Sequence, residues 1–149
     1  MFRAIVARRV RTAWKHVNDR DYAFVLDQFA PDFEYSFAGD HALGGARRSR
    51  AAMEAWFERL FALFPGIRFQ VEDVLVAGWP WHTRAVALVS VTASVDGETY
   101  RNEVAQTIHL RWGRITSIRN LEDTQKLAGA LERLGEAGAS AALEPAIVG

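Results

Sequence analysis

Cysteine is absent from all 149 residues, which excludes disulfides, thiol nucleophiles and cysteine-ligated metal. No apolar run approaches the roughly eighteen residues of a membrane span. The opening MFRAIVARRVR is interrupted by arginines before a signal-peptide core can form, so a soluble, cytoplasmic chain is expected. Neither sign of charge dominates: 18 Lys and Arg balance 18 Asp and Glu, which argues against nucleic acid or an acidic membrane as partner. There is no internal repeat, no Gly-rich phosphate loop, no dinucleotide fingerprint and no Ser/His/Asp arrangement. His16, His82 and His109 lack metal-ligand spacing, so no metal and no cofactor are expected. What remains is a chain that is 50% hydrophobic and long enough to bury one core.

Apolar residues Phe2, Ile5, Val6, Val10, Ala13, Trp14 and Val17 recur at helical spacing over about 2–17. Asp19 is expected to cap a short second helix carrying Phe24, Val25 and Phe29. In DFEYSFAGD, Phe33, Tyr35 and Phe37 alternate with polar neighbours, as in a strand that stops at Gly39. After the loop GDHALGGARR, Ser49 can cap a third helix whose Met53, Trp56, Phe57, Leu60, Phe61 and Phe64 share one wide face. Pro65 and Gly66 end it. Strand-like runs follow at about 67–77, 81–95, 98–112 and 114–122, then a helix from Thr124 to about Gly135 and an Ala-rich tail. Helices first and an antiparallel sheet after them make an α+β domain.

Two tight turns set the faces of the sheet. With Asp96-Gly97 central, Ala93 pairs with Tyr100, Val91 with Asn102, Val89 with Val104, Ala87 with Gln106 and Ala85 with Ile108. With Trp112-Gly113 central, Leu110 pairs with Ile115, Gln106 with Arg119 and Asn102 with Asp123. Both turns choose the same inward face of the middle strand. That face is apolar apart from Asn102, Gln106, Ser117, Arg119 and Asp123, with Tyr100 at its end. Ala85, Ala87 and Ala93 leave space beneath the helices, and an apolar hollow with a few converging polar groups is what a small-molecule site requires. Trp81 and Trp112 come out opposed and are expected to pack in the core; Trp79 is placed at a mouth.

The stretches AWKHVNDRDYAFVLDQFAPDFEY, FAGDHALGGARRSRAAMEAWFERL, the GRI hairpin and LEDTQKL resemble the SnoaL-like polyketide cyclases of the ketosteroid-isomerase and nuclear-transport-factor-2-like superfamily. The resemblance covers nearly the whole chain. It implies a cystatin-like α+β cone: a curved antiparallel sheet wrapped around three N-terminal helices, with an added C-terminal helix. Residues 1–138 would be the domain and 139–149 a C-terminal tail, and the cone would form a homodimer through the outer sheet face. It also implies a carboxylate near the end of the final strand as acid/base, a position matched by Asp123. The family's partner histidine lies on the preceding strand, where His109 stands on the outer face of the register above.

These readings converge on a cofactor-independent acid/base enzyme, of cyclase, isomerase or hydrolase type, acting on a hydrophobic carbonyl compound. Asp123, His41 and Tyr100 are the catalytic candidates. Asp123 moves the proton, or only caps the last helix. His41, beside Asp40 in a glycine-bounded loop, has the pKa range of a base, and Tyr100 can donate to an oxyanion. Asn102, Gln106, Arg119, Tyr35, Trp79 and Trp56 are the substrate-binding candidates. The alternatives are a non-catalytic small-molecule binder of the same fold and a homodimeric interaction module working through His82, Arg84, Thr107 and His109.

Overall fold

A stripe of apolar side chains makes the first helix. Val6, Val10 and Val17 lie buried on one face of α1 (Phe2–Asn18) in the computed structural model, which describes residues 1–149. A short α2 (Tyr22–Leu26) follows. Asp19 closes α1 instead of capping α2; Arg20 takes a positive φ of 65°, and Asp21 precedes α2 with its carboxylate 2.9 Å from His16 Nδ1. Helix α3 (Arg50–Leu63) begins where expected, because Ser49 Oγ accepts from the Ala52 N–H at 3.2 Å, satisfying an N–H that the helix leaves free.

The strands are β1 (Phe29–Phe37), β2 (Gly45–Arg47), β3 (Arg68–Trp79), β4 (His82–Val95), β5 (Glu98–Arg111) and β6 (Arg114–Glu122), followed by α4 (Thr124–Glu136). They form one sheet in the order β2-β1-β6-β5-β4-β3. All neighbours are antiparallel except β1 and β6. The three-residue β2 lies inside what reads from sequence as a loop. Both turns have two successive positive-φ residues, Asp96 and Gly97 (51° and 80°) and Trp112 and Gly113 (49° and 78°), the twist that two-residue hairpins favour. The expected β4–β5 pairs, from Ala93–Tyr100 through Ala85–Ile108, are all present.

The β5–β6 register departs from expectation. Leu110 pairs with Ile115, but the next pair is His109 with Ser117. Thr116 is therefore an extra residue, and its hydroxyl donates to the His109 carbonyl at 3.3 Å. This bulge inverts the alternation of everything after it. Ile118, Asn120 and Glu122 point inward, whereas Arg119 and Leu121 are exposed on the outer face. Asp123 falls off the end of the strand.

Helices α1 to α3 fill the concave side of the sheet, where Ala85, Ala87 and Ala93 are buried. No helix is long and apolar enough to cross a membrane. The last residues lie against the β2–α3 corner. Arg47, 0% exposed, donates to the carbonyls of Gly44, Gly45 and Ile147 at 2.8, 2.9 and 2.6 Å. Arg59 reaches the Pro145 carbonyl at 2.7 Å.

If the bulge sets the phase of β6, Thr116→Ala keeps the extra residue and changes stability by no more than about 0.5 kcal/mol. Deleting Thr116 instead drives Arg119 toward the interior and Ile118 toward solvent. Urea denaturation is expected to show a loss of at least about 3 kcal/mol, or no folding.

Candidate active site

The concave face encloses a cavity of ≈ 100 Å³. Its wall is mostly aliphatic and aromatic: Val10 and Trp14 from α1, Trp56, Phe57 and Leu60 from α3, and Val104, Ile108 and Ile118 from the sheet. Besides the phenols, five polar side chains reach it: Arg9, Gln28, Gln106, Asn120 and Glu122. Few polar groups on apolar walls fix a ligand's orientation while the walls exclude water.

Of the sequence-derived candidates, Tyr35, Tyr100, Gln106 and Trp56 line this cavity. Trp56 is held by its indole N–H, which donates to the Leu43 carbonyl at 2.8 Å, and its ring lies 5.1 Å from Tyr35.

The others lie elsewhere. Asp123 is exposed and caps α4, accepting from the N–H groups of Gln125 and Lys126 at 3.1 and 3.2 Å. Arg119 is on the convex face, turned there by the bulge. His41 is folded into its own loop: its Nε2 lies 3.0 Å from the Ala38 carbonyl, and its Nδ1 accepts from the Leu43 N–H at 3.2 Å. Those contacts assign the neutral Nε2–H tautomer, and burial depresses its pKa. His109 stays outside, its ring 6.3 Å from His82. Trp79, Trp81 and Trp112 are exposed and lie against one another at the sheet's end, with centroids 5.9 and 6.1 Å apart. They do not pack in the core, because their turns overhang its edge.

Asn102 is buried but does not line the cavity. Its Nδ2 donates to the Tyr100 hydroxyl at 2.8 Å and to the Asp123 carbonyl at 3.1 Å, and its Oδ1 accepts from the Glu103 N–H at 2.8 Å. Since Tyr100 Oη accepts from Asn102, its own proton remains free to donate into the cavity. Gln106 Nε2 donates to Asn120 Oδ1 at 2.9 Å, and Asn120 Nδ2 to the Ser36 carbonyl at 3.1 Å.

Glu122 is the residue the sequence reading missed. Glu122 lines the cavity, and no protein donor satisfies its carboxyl group. Burial, reinforced by the neighbouring Asp123 charge, pushes its pKa up to about 8. Tyr100 is pushed up to about 12, chiefly by burial, with Asn102 opposing and the Glu122 and Asp123 charges adding. Tyr35 is raised further by burial, against the pull of Arg47 and Asn120, and also feels Glu122. One carboxyl thus sits within electrostatic range of two phenols that stay protonated. A sequence signal for it existed. Ile115 and Ile118 are three apart, a spacing that a strand can place on one face only through a bulge.

Residues 10–118 match the family model described as the SnoaL-like domain. The chain belongs to the SnoaL-like family. No functionally curated protein matches the sequence. Among solved structures, TerC co-crystallised with polyporic acid is similar at 19% identity and a TM-score of 0.65, covering 83% of this chain and 95% of TerC. A nuclear-transport-factor-2-like protein of unknown function from Burkholderia pseudomallei is similar at 21% identity and a TM-score of 0.67, covering 83% and 94%. A protein with a cystatin-like fold from Xanthomonas campestris, also of unknown function, is similar at 14% identity and a TM-score of 0.62, covering 78% and 90%. These likenesses establish the α+β cone expected from the sequence.

The raised pKa has a stability consequence. Folding binds a proton at Glu122, whose folded value of about 8 exceeds its ordinary 4.5. Its penalty is absent below pH 4.5, grows as pH rises through the interval up to 8, and is constant above it. Glu122→Gln abolishes the penalty. Urea unfolding at pH 5 and pH 8.5 is expected to show the variant gaining on the wild type, by an amount on the order of a few kcal/mol.

Proposed function

We propose that this SnoaL-like protein is an acid/base enzyme acting on an apolar carbonyl compound, with Glu122 as the proton-transfer group. The observation that carries this reading is a carboxyl without a protein donor on an apolar cavity, its pKa pushed up to about 8 by burial, within electrostatic range of two protonated tyrosines. Desolvation makes the carboxylate a stronger base than one in water, and a value near operating pH suits a group that must both take and return a proton. The carboxylate removes a proton α to the substrate carbonyl. Tyr100, oriented by Asn102, and Tyr35 donate to the enolate oxygen as charge develops there. Glu122, now protonated, returns the proton to carbon for an isomerisation or to an alkoxide for an aldol cyclisation. Gln106 and Asn120 hold the substrate's polar edge, and Trp56 its apolar body. TerC, similar in fold, was co-crystallised with polyporic acid, which supports an organic small molecule as occupant.

Exchange of α-protons for deuterium, followed by NMR over a panel of apolar ketones and diketones, tests the chemistry whatever the final product is. Wild-type exchange rates are expected to rise with pH and level off above about 8. Glu122→Gln is expected to lose about 10²–10⁴-fold, and Asp123→Asn to retain most of the activity. Binding of these ketones with exchange equal in wild type and Glu122→Gln would identify a non-catalytic binder.

The convex face supports a homodimer. Leu88, Ala105 and Leu121 are aligned across β4, β5 and β6, and Leu75, Leu88 and Leu121 are 56%, 40% and 42% exposed. Burying such a patch in a second copy removes it from water. Sedimentation is expected to show a dimer that Leu88→Glu converts to a folded monomer.

A further inference from the structure

The neutral total charge conceals a segregation along the strands. Residues 74–95 and 104–121 contain no Asp or Glu. They include the β3–β4 and β5–β6 turns, which lie side by side, since the Trp112 N–H donates to the Pro80 carbonyl at 2.8 Å. Arg84, Arg111 and Arg114 are exposed at this end, and no carboxylate pairs with any of them. Arg114 is anchored on the Asp27 backbone carbonyl at 2.9 Å, while the Asp27 carboxylate is taken by Arg50 at 2.7 Å. Asp27 and Asp32 lie on the β1 side of β6, away from the β3–β4 turn. Burial, then the charges of Arg84 and His82, lower the pKa of the neighbouring His109. At the opposite end of the strands stand Asp96, Glu98, Glu122 and Asp123.

Among the arginines project Trp79, Trp81 and Trp112, which are 63%, 52% and 73% exposed. Trp112 also holds a φ of 49°, at a turn position suited to Asn, Asp or Gly. A bulky side chain there is an outlier. Neither the core nor the local backbone therefore accounts for this indole, and a residue kept against both costs points to something outside the chain. An indole is apolar with one polar N–H, which suits the boundary between lipid headgroups and acyl chains. Flanking arginines add attraction to anionic lipid.

Other occupants fit less well. Trp79 and Trp81 stack on each other with centroids 5.9 Å apart and planes 8° apart, which fills the ring faces that successive bases of a single strand would need. A second copy docking by the same end would set arginine against arginine. We infer that this end of the sheet docks on the surface of an anionic bilayer, the indoles entering the headgroup region and Arg84, Arg111 and Arg114 meeting lipid phosphates. The contact is peripheral, because no helix is long and apolar enough to cross. Balanced totals argue against attraction over the whole surface and leave room for this local one. The inference is independent of the chemistry assigned to Glu122.

Cosedimentation of the whole protein with vesicles of phosphatidylcholine, and of an equimolar mixture of phosphatidylcholine and phosphatidylglycerol, tests it. At low ionic strength the mixed vesicles are expected to bind at least about tenfold more tightly, and the preference shrinks as salt is added. Indole emission shifts to shorter wavelength on binding and is quenched by brominated acyl chains. Trp112→Gly, which suits the positive φ, is expected to keep the melting temperature of the wild type while weakening binding several-fold. Arg84→Gln combined with Arg111→Gln, at two exposed side chains without a hydrogen-bond partner in the protein, is expected to cost roughly tenfold or more. No binding to the mixed vesicles, equal binding to both kinds, or binding that neither variant weakens overturns the inference. Tighter binding to oligothymidylate than to the mixed vesicles overturns it in favour of a nucleic acid. Dissociation of a dimer by Trp112→Gly, with no vesicle binding by the wild type, overturns it in favour of a second copy.

Discussion

A strand has two faces, and a residue inserted into one strand of a pair reverses which side chains see the core from that point on. In β6 the insertion is forced by Ile115 and Ile118, which cannot both be buried by strict alternation. Burying the second isoleucine stabilises by about 1.5–3 kcal/mol. The disrupted ladder position loses about 1 kcal/mol, part of which the Thr116 hydroxyl recovers on the His109 carbonyl. The apolar pair wins. The reversed phase then carries Asn120 and Glu122 into the cavity and sends Arg119 and Leu121 to the convex side. Two surfaces are settled by one local conflict: the polar cluster inside, and the leucine-bearing patch outside.

The interior does not treat its polar groups alike. Asn102 uses both ends of its amide, and Asn120 is tied to Gln106 and to the Ser36 carbonyl. Those groups are satisfied and rigid. Glu122 is not, and an unsatisfied carboxyl in an apolar wall lowers stability at neutral pH. Such a cost is characteristic of sites where the environment shifts a group's acidity for a task. The satisfied neighbours hold the phenols in place around the unsatisfied one.

Much of the architecture was legible in the residues. Asp-Gly and Trp-Gly each supplied the two positive-φ positions of a tight hairpin, so the β4–β5 register followed pair by pair, and Ser49 marked the start of α3. Tyr35, Tyr100, Gln106 and Trp56 reached the cavity wall because they lie on elements whose phase the turns or the helical period fixed. Asp123 and Arg119 did not, because counting alternate residues past Ile115 carried the wrong phase to the strand's end, although the spacing to Ile118 contained the correction. His41 satisfies its ring on neighbouring backbone, a competition that sequence alone does not display. The tryptophans illustrate a further limit: pairing opposite residues says nothing of whether a turn overhangs the core. Arg9 and Gln28 were invisible for a tertiary reason, since they meet only where α1, α2 and the β5–β6 turn converge.

The clasp on Arg47 bears on the order of assembly. This guanidinium is sealed among β2, the aromatic wall and the chain's final residues, and one of its acceptors is the carbonyl of Ile147. On a ribosome that acceptor emerges roughly a hundred residues after the arginine it satisfies. Until then the guanidinium has only the carbonyls of its own neighbours Gly44 and Gly45, and its third acceptor arrives after every strand of the sheet has been made. The corner beside Tyr35 and Trp56 is thus clasped by a segment about a hundred residues further along the chain, a contact that ties the two ends of the fold together.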